Sequence, residues 1–195
     1  MESIPYRLHE NNLFPLLTPA GQTAGQEGTT RMGDVSIRAA VSEDAADICT
    51  IYNQGIEDRI ATLETERRTP DERRQWMAAR AARHPVVVAV SAGQIVGWGS
   101  LNAFNPRPAY DHVVDLSVYV ERAWRGRGVG RALLQHLLPL AKSLGYHKMV
   151  LATFPCNEAG VTLYRKMGFS PVGVYHEQGR LDGRWVDVLI MERLL

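Results

Sequence analysis

Residues 35–40, VSIRAA, alternate apolar and polar side chains with a period of two, which predicts a strand. The spacing then turns helical. Ala45, Ile48, Tyr52 and Ile56 fall on one face, Ser42 is the expected cap, and Glu43 and Asp44 stand at the positive end of the helix. TPDE (69–72) predicts a second helix start, with Thr69 as cap, Pro70 first and Glu72 closing a capping box. That helix is expected to run to about Arg83. PVVVAV (85–90) and IVGWGSL (95–101) read as strands joined by the hairpin turn SAGQ, and HVVDLSVYV (112–120) is a third β-rich run. Val129, Leu133, Leu137, Ala141 and Leu144 mark one face of a long helix that Gly145 ends. Pro139 lies inside it and is expected to kink it or to cost about 3 kcal/mol. KMVLAT (148–153) predicts a strand. NEAGVTLYRKMG (157–168) predicts a short helix from Asn157 to Gly168. SPVGVYHE and RWVDVLIME predict two closing strands around the turn LDG. The sum is an α/β chain of mixed (α+β) type, without internal repeats.

Residues 1–34 break this order. TPAGQTAGQEGTTRMGD (18–34) has no periodicity and is rich in Gly, Thr and Gln, as in a flexible extension. Met32 is an alternative start just before the first strand. The other reading is a docking arm using Leu13, Phe14, Leu16 and Leu17. The expected division is an extension over 1–34 and one domain over 35–195. A length of 195 residues with 45% hydrophobic side chains suits a single domain.

Charge and cysteine usage narrow the class. A net charge of +1 gives no push toward nucleic acid or membrane. Cys49 and Cys156 form neither a metal pair nor a disulfide framework, and the six histidines are scattered. A reducing, cytoplasmic setting and no metal site are expected. No apolar run approaches the roughly 20 residues needed to span a bilayer.

RGRGVG (125–130) sits between the third β-run and the long helix. Its glycines let backbone N–H groups face outward at a positive helix end, and its arginines add charge. Together they make an anion cradle, though a plain strand-to-helix turn has the same composition. A P-loop is excluded because no Gly-Lys-Ser/Thr follows. The Gly-x-Gly-x-Gly spacing and mid-chain position do not suit a dinucleotide-binding loop. An RNA-binding tract would repeat.

The spacing Arg125-x-x-Gly128-x-Gly130 after a β-run resembles the Arg/Gln-x-x-Gly-x-Gly/Ala pattern of the GNAT superfamily of N-acetyltransferases. NEAGVTLYRKMGF (157–169) resembles that superfamily's second block. Within it the chain looks closest to phosphinothricin-type acetyltransferases, including the methionine sulfoximine and arsinothricin-resistance branches. IYNQGIEDRIATLET (51–65), FNPRPAYDHVVDLSVYV (104–120) and GRWVDVLIMER (183–193) carry that likeness. The resemblance implies a mostly antiparallel twisted sheet flanked by helices, with acetyl-CoA where the central strands splay. It implies acetylation of the α-amino group of a small amino-acid analogue, serving detoxification, in a homodimer.

On that resemblance Leu116, Ser117, Val118, Tyr119 and Val120 would hold the pantetheine arm by backbone hydrogen bonds. Arg125, Gly126, Arg127, Gly128, Val129, Gly130 and Arg131 would take the pyrophosphate, and Asn157 would add a cofactor contact beside capping its helix. Asp115 interrupts an apolar run, which suits either a general base in a cleft or an exposed carboxylate on an alternating strand. Such relatives usually carry Glu at the matching place, so the shorter Asp acts directly or through a water. Tyr164 is the general-acid candidate, its alternative a half-buried core tyrosine. Arg107, between two prolines, would grip the acceptor's carboxylate, or else is a solvated loop arginine. Tyr110, Thr62 and Glu64 would line the same pocket. Cys156 has no adjacent base and reads as inert. Arg59 and Arg184 are cations with no assigned place. A peptide or protein N-terminal acetyltransferase, or a silent acyl-CoA-binding module, are the competing readings.

Overall fold

A computed structural model describes residues 35–195; the expectations for 1–34 lie outside the described residues. Seven strands form one sheet: β1 (Val35–Ala39), β2 (Val86–Ser91), β3 (Gln94–Ala103), β4 (Val113–Val120), β5 (Lys148–Thr153), β6 (Ser170–Leu181) and β7 (Arg184–Leu194). Four helices accompany them: α1 (Ala45–Glu57), α2 (Pro70–Ala78), α3 (Val129–Ser143) and α4 (Glu158–Lys166). The strand order is β1-β2-β3-β4-β5-β7-β6. Every neighbouring pair is antiparallel except β4 and β5. The expected GNAT architecture is therefore present.

Alternation along the strands assigns the two faces. Val87 and Ala89 of β2 join Leu101 and the α3 residues Leu133, Leu134 and Leu137 in the larger core. Val86 and Val88 point the other way, into a second core with Trp98 of β3 and Ile48 and Ile51 of α1. Tyr119 stacks on Trp98 with ring centroids 4.8 Å apart. Gly55 of α1 makes room for it, since a Cβ there would stand 3.0 Å from the Tyr119 ring.

Two local expectations are corrected. Ser42 makes no capping bond and lies inside a short 3-10 turn, Ser42–Asp44. Asp44 does the work instead: its Oδ2 accepts from Val41 N–H at 2.8 Å while the carboxylate pairs with both Arg38 Nη atoms. The capping box at Thr69 and Glu72 forms as read, but α2 ends at Ala78, short of Arg83. Arg80 there turns back to donate its Nε to His84 O at 2.7 Å, and Pro85 disfavours helix at the residue before it. Around Pro139, α3 stays continuous. The carbonyl a proline deprives belongs to residue 135, on the exposed side of the helix, where water can bond it.

Candidate active site

β4 and β5 pair only over Val113–Asp115 and Lys148–Val150. Beyond Asp115 the two strands part, while β3 continues to hold the other edge of β4 as far as Val120. Leu116–Val120 thus have one edge without a strand partner, and their N–H and C=O groups there are available to a ligand. A cavity of about 300 Å³ opens at this gap. Its walls are Val118, Tyr119 and Val120 of β4, the glycine loop, and Asn157, Leu163 and Tyr164 at α4.

The loop has the geometry an anion site needs. Gly126 and Gly128 have φ of 76° and 86°, the left-handed region that other residues adopt with strain. The first α3 bond beyond this turn runs from Ala132 N–H to Gly128 O at 3.0 Å. The N–H groups of Val129, Gly130 and Arg131 therefore precede the helix ladder and face outward at its positive end. Gly130 allows α3 to approach α4, since a Cβ there would meet Leu163 at 3.0 Å. The arginines divide their roles. Arg125 pairs with Asp58 and donates its Nε to Val120 O at 3.3 Å, which clips the loop to α1 and β4. Arg127 lies 5.3 Å from the Trp124 ring centroid and is exposed, and Arg131 borders the cavity.

Asp115 is half-buried at the point where β4 and β5 separate. Burial pushes its pKa up to about 6, against a hydrogen bond from Asn102 that lowers it. That value suits a group that must accept a proton near neutral pH. Tyr164 reaches the same gap from α4. Burial first, and the nearby Asp115 charge second, push its phenol up to about 12, so it stays protonated and able to donate. Asn157 accepts from Gly160 N–H at 3.1 Å and caps α4 as expected.

The other sequence candidates fall unevenly. Leu116 is buried in the main core and only its backbone edge faces the gap. Ser117 accepts from the Asn102 amide at 3.0 Å. Thr62 stands against the Tyr119 hydroxyl. Glu64 pairs with Arg68 and lines a neighbouring hollow with Tyr52, Arg73 and Trp76, not the cavity beside β4. Arg107 and Tyr110 lie on the β3–β4 loop, which leaves the sheet just beyond the Asn102–Asp115 pair. Both are exposed; Tyr110 packs on Phe104, and the Arg107 guanidinium makes no hydrogen bond among the described residues. Arg59 pairs with Asp182, and Arg184 borders a hollow with Trp185 and the exposed Cys156. Among the described residues no cluster of ligands fit for a metal occurs.

Asn102, Arg80 and Gly55 were not singled out from sequence. Asn102 alone carried a signal: it is polar and lies on the same strand face as Trp98, two steps along the alternation.

The comparisons with known proteins give the family. The model of the acetyltransferase (GNAT) family matches residues 49–169. An L-methionine sulfoximine/L-methionine sulfone acetyltransferase of Pseudomonas paraeruginosa is 35% identical, over 80% of this chain and 92% of its own length. A GNAT superfamily phosphinothricin acetyltransferase from Sinorhizobium meliloti, solved in complex with acetyl-CoA, superposes with a TM-score of 0.80 at 30% identity. The match spans 84% of this chain and 89% of that one. A ribosomal-protein-alanine N-acetyltransferase structure from Brucella melitensis gives 0.79 at 34% identity, over 82% and 99%. Acetyl-CoA is the acyl donor of this fold, and the chain belongs to the GNAT family of N-acetyltransferases.

Proposed function

We propose that the protein acetylates the free α-amino group of a small amino-acid analogue of the phosphinothricin, methionine sulfoximine or arsinothricin kind, and so detoxifies it. The observation that carries this reading is Asp115, a half-buried carboxylate with its pKa at about 6, set where β4 and β5 part. Acetyl-CoA lies along the free edge of Leu116–Val120, its pyrophosphate on the N–H groups at the start of α3. Asp115 takes a proton from the acceptor's ammonium, directly or through a water. The amine then adds to the thioester carbonyl, whose oxyanion meets an N–H of the free β4 edge. Collapse breaks the C–S bond and the departing thiolate takes the Tyr164 proton. The second proton on the acceptor nitrogen passes to the Tyr164 phenolate, directly or through a water, which leaves the neutral amide and restores the phenol. Transfer is direct, with Cys156 uninvolved. Arg107 on the β3–β4 loop grips the acceptor's carboxylate through paired hydrogen bonds, with Tyr110 and Thr62 beside it.

A peptide N-terminus is the second reading, favoured by the ribosomal-protein-alanine acetyltransferase match. The β3–β4 loop, stiffened by Pro106 and Pro108 at the acceptor end, suits a small molecule better than a chain that must pass through. An acceptor screen with acetyl-CoA, following released thiol, decides between them. Turnover of phosphinothricin or methionine sulfoximine with peptides ignored supports the first reading, and the reverse supports the second.

We also read the protein as a homodimer acting in the cytoplasm. β6 is a twelve-residue sheet edge carrying exposed Val172, Val174 and Tyr175, with exposed Trp185 across on β7. Among the described residues no helix is long and apolar enough to cross a membrane.

A further inference from the structure

Asn102 on β3 stands directly opposite Asp115 on β4, and its amide is fully engaged. Its Nδ2 donates to Asp115 Oδ2 at 3.1 Å and to Ser117 Oγ at 3.0 Å. Its Oδ1 accepts from Arg80 Nη2 at 2.9 Å and from Ser100 Oγ at 2.9 Å. Arg80 is itself pinned. It donates to His84 O and Leu101 O and lies over the Trp76 ring, 4.4 Å from the centroid. A guanidinium has only donors, so the atom of Asn102 facing Arg80 must be the oxygen. The amide can then present only N–H to Asp115.

We propose that Arg80 and Asn102 are positioning residues for the acetyl transfer: Arg80 locks the Asn102 amide, and Asn102 holds Asp115 ionised with Oδ2 engaged and Oδ1 turned to the acceptor. This rests on the reading of Asp115 as the base. The surroundings of Asp115 are otherwise sparse. On β3 its partner is Asn102, on β4 Ser117 shares the same amide, on β5 it pairs with the apolar Val150, and from α4 it meets the neutral Tyr164. Among the described residues no cation bonds it directly, and Arg80 acts only through Asn102. A donor to a carboxylate stabilises the ionised form, so its removal leaves burial unopposed.

The test is the lower limb of the pH profile of kcat/KM, with acetyl-CoA and phosphinothricin, in the full chain. Asn102→Ala is expected to move that limb upward by about one pH unit. Arg80→Met keeps the packing on Trp76 and is expected to move it the same way by less. The double variant is expected to match Asn102→Ala, because both act through one contact. Acetyl-CoA affinity is expected to stay within twofold throughout. Asn102→Asp, of the same shape, keeps the test open if the alanine variant fails to fold, and is expected to raise the limb further by setting two carboxylates together. Asp115→Asn separates the two ideas. If it abolishes the limb while Asn102→Ala, Asn102→Asp and Arg80→Met leave the limb in place, the positioning role falls and the base stands. If the limb near pH 6 survives in Asp115→Asn, apart from the rise at higher pH that the acceptor amine itself imposes, both fall.

Discussion

Arg125 is ion-paired with Asp58, at the C-terminal end of α1. The same carboxylate accepts from Arg122 Nη2 at 2.7 Å, so one acid ties the loop before α3 to the helix across the cavity. Burial pushes the Asp58 pKa up, but the bonds from Arg122 and Arg125 outweigh it and hold the carboxyl below its ordinary value. A depressed folded-state pKa contributes stability that is fully present above the unfolded value of about 4 and fades as pH falls through the folded one. Asp58→Ala is therefore expected to lower stability by about 1–2 kcal/mol at pH 7, with the difference from wild type shrinking below pH 4. Urea unfolding at both pH values measures it. A constant difference across the range would mean that the pairs contribute nothing.

The glycine loop gives a second prediction. Gly128 has φ of 86°, so any side chain is strained there, but asparagine tolerates that region better than most. Gly128→Asn therefore controls for the backbone, and Gly128→Asp adds a negative charge facing the diphosphate. The Asp variant is expected to bind acetyl-CoA at least tenfold more weakly than the Asn variant, which takes only about 1.4 kcal/mol. Calorimetric titration reads the difference. Equal affinities would remove the start of α3 from the cofactor site.

On the proposed reading, Arg107 sets the choice of acceptor. Its guanidinium is exposed and without a hydrogen-bond partner among the described residues, on the loop next to the Asn102–Asp115 pair. Arg107→Ala is expected to raise KM for phosphinothricin more than tenfold and leave acetyl-CoA binding unchanged, since charge-assisted bonds of this kind are worth about 1.5–3 kcal/mol. Converting the acceptor's carboxylate to an amide is expected to harm the wild type far more than the variant, because both changes remove one contact. Equal losses in the two proteins would take Arg107 out of the acceptor pocket.

What the sequence revealed, and what it hid, follows from distance along the chain. RGRGVG and NEAGVTLYRKMGF are continuous, so their spacing alone located the helix starts that face the cavity. Asp115 was visible as a carboxylate interrupting an apolar strand. Asn102 showed only its polarity on a strand face, because its meaning is a cross-strand pair 13 residues away and a guanidinium 22 residues away. The pairing of Arg122 and Asp58 spans 64 residues and that of Arg59 and Asp182 spans 123, and no local pattern records either. Ser42 was misread for a related reason. The start is tied down by Asp44 instead, because Arg38, on the preceding strand, holds that carboxylate in place to accept from Val41.

Turnover of Asp115→Asn from pH 6 to pH 10 tests most directly whether Asp115 takes the acceptor's proton. The variant is expected to lose roughly 10²-fold or more in kcat/KM at pH 7, with acetyl-CoA affinity kept. The deficit is expected to narrow toward pH 10, where more of the acceptor amine is already free of its proton. Near wild-type turnover across the whole range would contradict the account and leave the deprotonation to another group or to bulk water.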